Sequence, residues 1–283
     1  MVLSLAIASA IALGVADYLA GATLRTDGRM NAALPYTAIG AVFGAIVVVA
    51  ALPFAPPEQF TSVDLFWSLA AGTATGSALP LMMVGMARGP MAVVAPVLGL
   101  VSMAVPAIVG PILGDRLTAL EVTGLLIAFP AAGLVSLSDH QSEETAPIPR
   151  AIAVAAAAGA LFGTSAVCFG QTSTASGIAP GVVAQITTAV LLAGGTLLAR
   201  RLIRPRSHAV TLAAAVGVLT AIAVFLSVLA YQRGPVAIVA AVIGLAPGPT
   251  VLLARMIVRE SIRFIQLVGF ALGVVAVLLF ALG

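Results

Sequence analysis

Apolar residues run along this chain in stretches of about twenty, separated by short polar breaks. The stretches fall at 2–21, 32–52, 65–86, 91–112, 117–137, 151–170, 179–199, 209–231, 236–254 and 263–282. At ~1.5 Å per residue each helix is long enough to cross a hydrocarbon core of ~30 Å. None shows the strict two-residue alternation over ~10 residues that marks an outer-membrane strand. The pattern predicts an all-α integral membrane protein with ten transmembrane helices. No Lys or Arg precedes Arg25, so the first stretch lacks the basic start of a cleaved leader and is expected to stay as a helix. The most hydrophilic break, "SDHQSEETAPIP" from Ser138 to Pro149, falls mid-chain. It predicts two five-helix units, 1–137 and 151–283, joined by a linker at 138–150.

Composition supports the membrane reading. Hydrophobic residues make up 61% of the chain and charged residues 8%, against roughly 25% charged in a soluble domain. The 28 Gly and 17 Pro suit membrane helices, whose neighbours satisfy freed backbone groups. No basic run interleaved with aromatics points to nucleic acid. Cys168, the one cysteine, lies in an apolar stretch and reads as a small packing residue.

The two halves repeat one another. "RGPMAVVAPVLGL" from Arg88 to Leu100 matches "RGPVAIVAAVIGL" from Arg233 to Leu245 at nine of thirteen positions, at an offset of 145. At that offset Asp115 falls on Glu260, Glu121 on Gln266 and Gly124 on Gly269. Because five is odd, a second copy must enter the bilayer upside down. The expectation is two inverted five-helix repeats, an arrangement common in secondary transporters.

These pieces resemble the drug/metabolite transporter superfamily, EamA type. The resemblance rests on "ALGVADYLAG" in the first helix, "ARGPMAVVAPVLGL" leading into the fourth and "ILGDRLTALEVTG" after it. In the second half it rests on "YQRGPVAIVAAVIGLAPGPTVLLARMIVRESIRFIQLVG". The usual Gly-Glu pair stands here as Gly114-Asp115 and Arg259-Glu260, with the carboxylate kept at both places. The resemblance implies a central cavity surrounded by the third, fourth, eighth and ninth helices.

All thirteen basic residues are Arg, and they are unevenly placed. Odd-numbered loops hold Arg25, Arg29, Arg88, Arg150, Arg200, Arg201, Arg204, Arg206, Arg255, Arg259 and Arg263; even-numbered loops hold Arg116 and Arg233. The positive-inside rule puts the odd loops in the cytoplasm and both termini outside a cell membrane. The resembled superfamily is often described with both termini inside. The bias in this chain is large and lies in short loops, so it carries the expectation.

A charge within the bilayer is costly and asks for a reason. Asp17 has two readings: a proton- or substrate-binding carboxylate beside Tyr18 in a watery cavity, or an interfacial residue paired with Arg25. Glu121, one turn into the fifth helix, reads as structural, favoured by the helix dipole. Thr220, Ser227 and Tyr231 share a face of the eighth helix, and Thr73 and Ser77 a face of the third, where Thr75 is the repeat partner of Thr220. Such hydroxyls line cavities or join helices. Gly and Pro interrupt the fourth helix (Pro96, Gly99, Pro106, Gly110, Pro111) and the ninth (Gly244, Pro247, Gly248, Pro249). Paired interruptions of this kind point to a transporter's binding site.

No phosphate loop, metal-binding helix motif or nucleophile elbow is present, so neither an ATP-driven pump nor an enzyme is expected, and no cofactor or metal. The expected partner is a neutral, zwitterionic or amphipathic small solute such as an amino acid, metabolite or drug-like compound. It would be moved by alternating access, with efflux the commoner direction and Asp17 the candidate for proton coupling. The rival readings are a channel and a non-transporting scaffold or accessory subunit. A reporter fused after Gly283 should read out on the outer face of the membrane; a cytoplasmic signal would overturn the orientation.

Overall fold

The computed structural model describes residues 1–27, 33–88, 91–136, 148–199, 207–258 and 264–283. All the regular elements among them are helical: α1 (Val2–Asp27), α2 (Ala33–Ala51), α3 (Ser62–Arg88), α4 (Met91–Ile112), α5 (Ala119–Ser136), α6 (Ile148–Gly170), α7 (Ala179–Leu198), α8 (Ser207–Tyr231), α9 (Val236–Ile243), α10 (Pro247–Leu253) and α11 (Phe264–Leu282), with short 3-10 and π segments between some of them. The ten predicted stretches each correspond to a helix or, for the ninth, to α9 and α10 together. The predicted linker lies outside the described residues as far as 147, and its last three residues form the start of α6.

Nine of the described segments are long and apolar enough to cross a membrane, so the chain is a multi-pass helical membrane protein. The 27-residue α3 is not among the nine. Gly72, Thr73, Thr75, Gly76 and Ser77 dilute its apolar content.

Prolines act differently in the fourth and ninth segments. Both were expected to be interrupted, yet α4 stays one helix through Pro96, Pro106 and Pro111. The ninth breaks into a turn at 244–246. In α4 the prolines are at least five residues apart, so each disturbs one turn. In the ninth segment Pro247 and Pro249 remove two donors within three residues, just after Gly244. The helix then restarts with Pro247 in its first turn, where proline is tolerated.

Eight segments close into a ring. α1 packs on α8, α8 on α2, α2 on α7, α7 on α3, α3 on α6, α6 on α4, α4 on α9, and α9–α10 back on α1. α5 and α11 pair outside the ring, against α4, α9 and α10. The order is unchanged when each segment of the first half is exchanged for its counterpart in the second. Close contacts follow suit. Gly72 on α3 meets the Ala184 carbonyl of α7, and Gly217 on α8, 145 residues on, meets the Gly40 carbonyl of α2. Gly124 lies against Phe280 and Gly269 against Val135, again at an offset of 145, so α5 and α11 run antiparallel. Small residues let backbones approach where lipid gives no hydrophobic drive for helix association.

A β-carbon at Gly217 would collide with a backbone carbonyl that cannot swing away. Gly217→Ala should therefore cost about 1–3 kcal/mol and lower the melting temperature in detergent. Gly194→Ala, where nothing lies within 4 Å, should not lower it.

Candidate functional site

Both ends of the chain and four loops lie at one end of the ring. Gly234 packs on the Val2 side chain, and Gly283 on Thr118 and Leu120. Polar bonds join the four loops in series. The Asp64 carboxylate accepts from the Ser173 amide at 2.7 Å, and the Glu58 and Gln59 amides donate to the Ala175 carbonyl at 3.0 and 3.1 Å. The Gln232 amide nitrogen donates to Thr172 Oγ1, Ser176 Oγ and the Gly177 carbonyl at 3.1, 3.2 and 3.0 Å. The Ala237 amide, in the first turn of α9, donates to the Asp115 carboxylate at 3.4 Å. Gly114, with φ of 111°, supplies the left-handed turn that brings Asp115 back toward the ring. A carboxylate at a helix N-terminus is favoured by the unpaired amides and the dipole. Thr61 with Asp64, and Thr118 with Glu121, form reciprocal capping boxes on α3 and α5. Glu121 thus has the structural role expected of it.

Beneath these loops the ring is filled. Met103, Phe169, Val228, Tyr231 and Val236 to Val242 form one buried cluster, with Phe169 stacked on Tyr231 at 6.5 Å between centroids. The opposite ends of these helices adjoin residues 28–32, 89–90, 137–147, 200–206 and 259–263, which lie outside the described residues, and with them Arg29, Arg200, Arg201, Arg204, Arg206, Arg259, Glu260 and Arg263.

Toward that opposite end the inner faces become accessible. On α1, Ser9, Ala12 and Ala16 are buried, and Ser9 bonds the Ala223 carbonyl of α8. Gly14 meets α10, while Ile7 and Ile11 are exposed on the outer side. The remaining face, between α8 and α10, looks into the ring and carries Ala6, Ala10, Leu13 and Asp17 by helical spacing. Along it Ala6 is 0% and Ala10 5% accessible, Leu13 is half-buried and Asp17 is exposed. Asp17 has no hydrogen-bond or ion-pair partner among the described residues. It lies about 22 Å along α1 from Val2, while Met103 lies about 14 Å from the end of α4 at the filled end. The inward-facing carboxylate therefore stands above a floor.

Other expected residues divide by face. Thr220, Ser227 and Tyr231 do share the inner face of α8, opposite exposed Ile222. Ser227 is buried and back-bonds the Val224 carbonyl at 2.9 Å, and Tyr231 belongs to the floor, whereas Thr220 is half-buried and unbonded among the described residues. Thr75 donates to Ser165 of α6 at 2.9 Å. Thr73 and Ser77 lie elsewhere, in a groove of about 410 Å³ with Phe66, Leu69 and Leu161. Phe66 is 62% exposed beside the filled end of the ring, so this face of α3 looks outward. Tyr18 is half-buried one residue round from Asp17, on a neighbouring face, and is engaged in a contact.

The seam between α4 and α9–α10 ties the site to the repeat. Gly244 packs on the Met103 sulfur and Gly110 lies near the Ala237 amide, so the two segments run antiparallel. The repeat partners of Met103 and Gly244 are Gly248 and Gly99. That second pair is apart: Gly99 meets nothing within 4 Å, and Gly248 faces Phe270 of α11. Pro96, half-buried, lies one turn from Gly99 on the same open stretch of α4, and Pro247 begins α10 after the break.

No family model matches the chain, and no curated protein does. A solved crystal structure of a protein superposes with a TM-score of 0.77 at 20% identity, covering 99% of this chain and 97% of that one. At that identity the likeness shows a shared fold alone.

Asp64, at the start of α3 and outside the apolar span, gives the closed end a pH signature. Burial pushes its carboxyl up, but the Thr61 hydroxyl and the Ser173 and Thr61 amides outweigh that and hold it below its ordinary value of 3.8. The stability it contributes is present above that ordinary value and is lost as pH falls through the lowered one. Thermal melts against pH should show Asp64→Asn less stable than the parent at neutral pH. The variant should also lose less stability on acidification below about pH 4.

Proposed function

We propose that this chain is a secondary transporter of the drug/metabolite, EamA-like type, built of two inverted five-helix repeats and moving a small neutral, zwitterionic or amphipathic solute by alternating access. The observation that carries this reading is the α4/α9–α10 seam. Positions related by the repeat are packed at one end, Met103 on Gly244, and separated at the other, Gly99 from Gly248. Two sequence-related segments packed unequally at their two ends offer a second state, reached by exchanging which end is closed. The antiparallel α5 and α11 pair, with its matched glycine contacts, supports the inversion.

The solute site in this reading is the accessible stretch formed by Asp17, Gly99 and Thr220, above the floor at Met103 and Tyr231. With the arginine-rich loops in the cytoplasm, the open end faces inward and a solute leaves the cell when the seam reverses. The chain carries no nucleotide-binding motif, so an ion gradient or the solute's own gradient drives it, with Asp17 the coupling carboxylate.

The purified protein in liposomes should show saturable uptake that accelerates with solute on the far side; no movement across a solute panel would remove the transport reading. With Cys168 replaced by Ala, paired cysteines at Met103 and Gly244 should cross-link in one state and paired cysteines at Gly99 and Gly248 in the other. Failure of the second pair to link in a protein that transports would overturn the seam exchange.

A further inference from the structure

We infer that the site selects solutes carrying a protonated amine on an apolar body, with Asp17 as their counter-charge. This assignment rests on the transporter reading and narrows it to one chemistry. Asp17 faces into the ring, is exposed, and has no hydrogen-bond or ion-pair partner among the described residues. An ionised carboxylate walled by apolar helices is costly unless paired, and the described residues supply no partner for it.

The surroundings set the rest of the ligand. Measured from the closed end along their helices, Asp17 stands at about 22 Å, Gly99 at about 20 Å and Thr220 at about 16 Å, so the three span a little over one helical turn with Thr220 nearest the floor. Gly99 contributes open space and Thr220 a hydroxyl with no bond of its own among the described residues. Leu13, one turn below Asp17 on the same face, contributes a half-buried hydrocarbon side chain. Thr250, on the adjoining α10, is committed to the Gly14 carbonyl at 2.9 Å. Among the arginines whose side chains are described, Arg116 and Arg233 lie at the closed end and Arg150 in the first turn of α6; the side chains of Arg25 and Arg88 lie outside the described residues. Arg255, in the π segment after α10, is engaged in a contact and forms no ion pair with Asp17. One unpaired carboxyl, one free hydroxyl and apolar walls fit an ammonium group attached to a hydrocarbon body. The ammonium could belong to a simple organic cation or to an amino acid.

Four probes of one shape separate these cases at neutral pH: 2-phenylethylamine, phenylalanine, 2-phenylethanol and 3-phenylpropionate. Calorimetric titration of the intact protein in detergent should give the amine at least roughly tenfold tighter binding than the alcohol or the propionate. Asp17→Asn, shown folded by an unchanged melting temperature, should erase that preference, and Asp17→Glu should keep it. Phenylalanine binding that depends on Asp17 identifies the amino-acid source; its failure beside a bound amine identifies a simple cation. Equal binding of amine and alcohol, no binding of the amine, or full amine binding by Asp17→Asn overturns the assignment. Asp17-dependent binding with no solute crossing liposomes would leave the assignment standing and end the transport reading. Solute movement indifferent to the charge at Asp17 would do the reverse.

Discussion

The antiparallel crossing of α4 with the α9–α10 segment is the contact on which the rest of this ring depends. It closes the circle of eight helices, and it joins the two halves through counterpart segments. Its closed end is held by two unlike forces. Met103 fills the space that the absent side chain of Gly244 leaves, and Asp115 binds the first turn of α9 just beyond. The first is dispersion and close packing, which fades within an ångström of separation. The second is a charge-assisted bond at a helix terminus, favoured by the dipole but exposed enough to be exchanged for water. A seam held this way can part without unfolding either helix.

What forms the inner wall is constrained by the medium outside it. In lipid, every backbone group must be satisfied by the chain itself, so irregular backbone survives only where it is covered by protein or faces a polar space. The turn at 244–246 obeys this. Its amides bond back within the segment, Gly244 to the Ala240 carbonyl at 2.8 Å and Ala246 to Ile243 at 2.9 Å. Its outer side is covered, with Leu245 beside Gly273 of α11. The pair of α5 and α11 thus protects the one segment of the ring that the prolines have broken, and its placement outside the ring follows from that need.

The spans and the polar stripe of α8 were legible from residue order because each depends on local spacing. Thr220, Ser227 and Tyr231 recur at helical intervals whichever way the helix is turned. Which face looks inward was not legible in the same way. In a soluble helix the polar side marks the solvent, but a membrane helix has apolar surroundings on the lipid side and apolar neighbours too. Thr73 and Ser77 therefore resembled a cavity wall, whereas the buried hydroxyl of α3 is Ser68 and the one that reaches α6 is Thr75. The Thr-x-x-acid pattern of Thr61 with Asp64 and of Thr118 with Glu121 was available as a capping signal. The long-range tie from Asp64 to Ser173, spanning 109 residues, could not be seen without the fold.

Some repeat partners are the same residue in unlike surroundings, and the side chains opposite them differ: Met103 corresponds to Gly248, and Ser165 to Ala20. Gly99 and Gly244 are identical residues, yet one faces open space and the other a sulfur atom. Thr75 and Thr220 are identical too, yet one is bonded across to α6 and the other has no such bond among the described residues. In both pairs the freer member lies on the stretch that looks toward Asp17. The carrier proposed above requires a ring filled at one end and accessible at the other, and the described helices are packed in that unequal way.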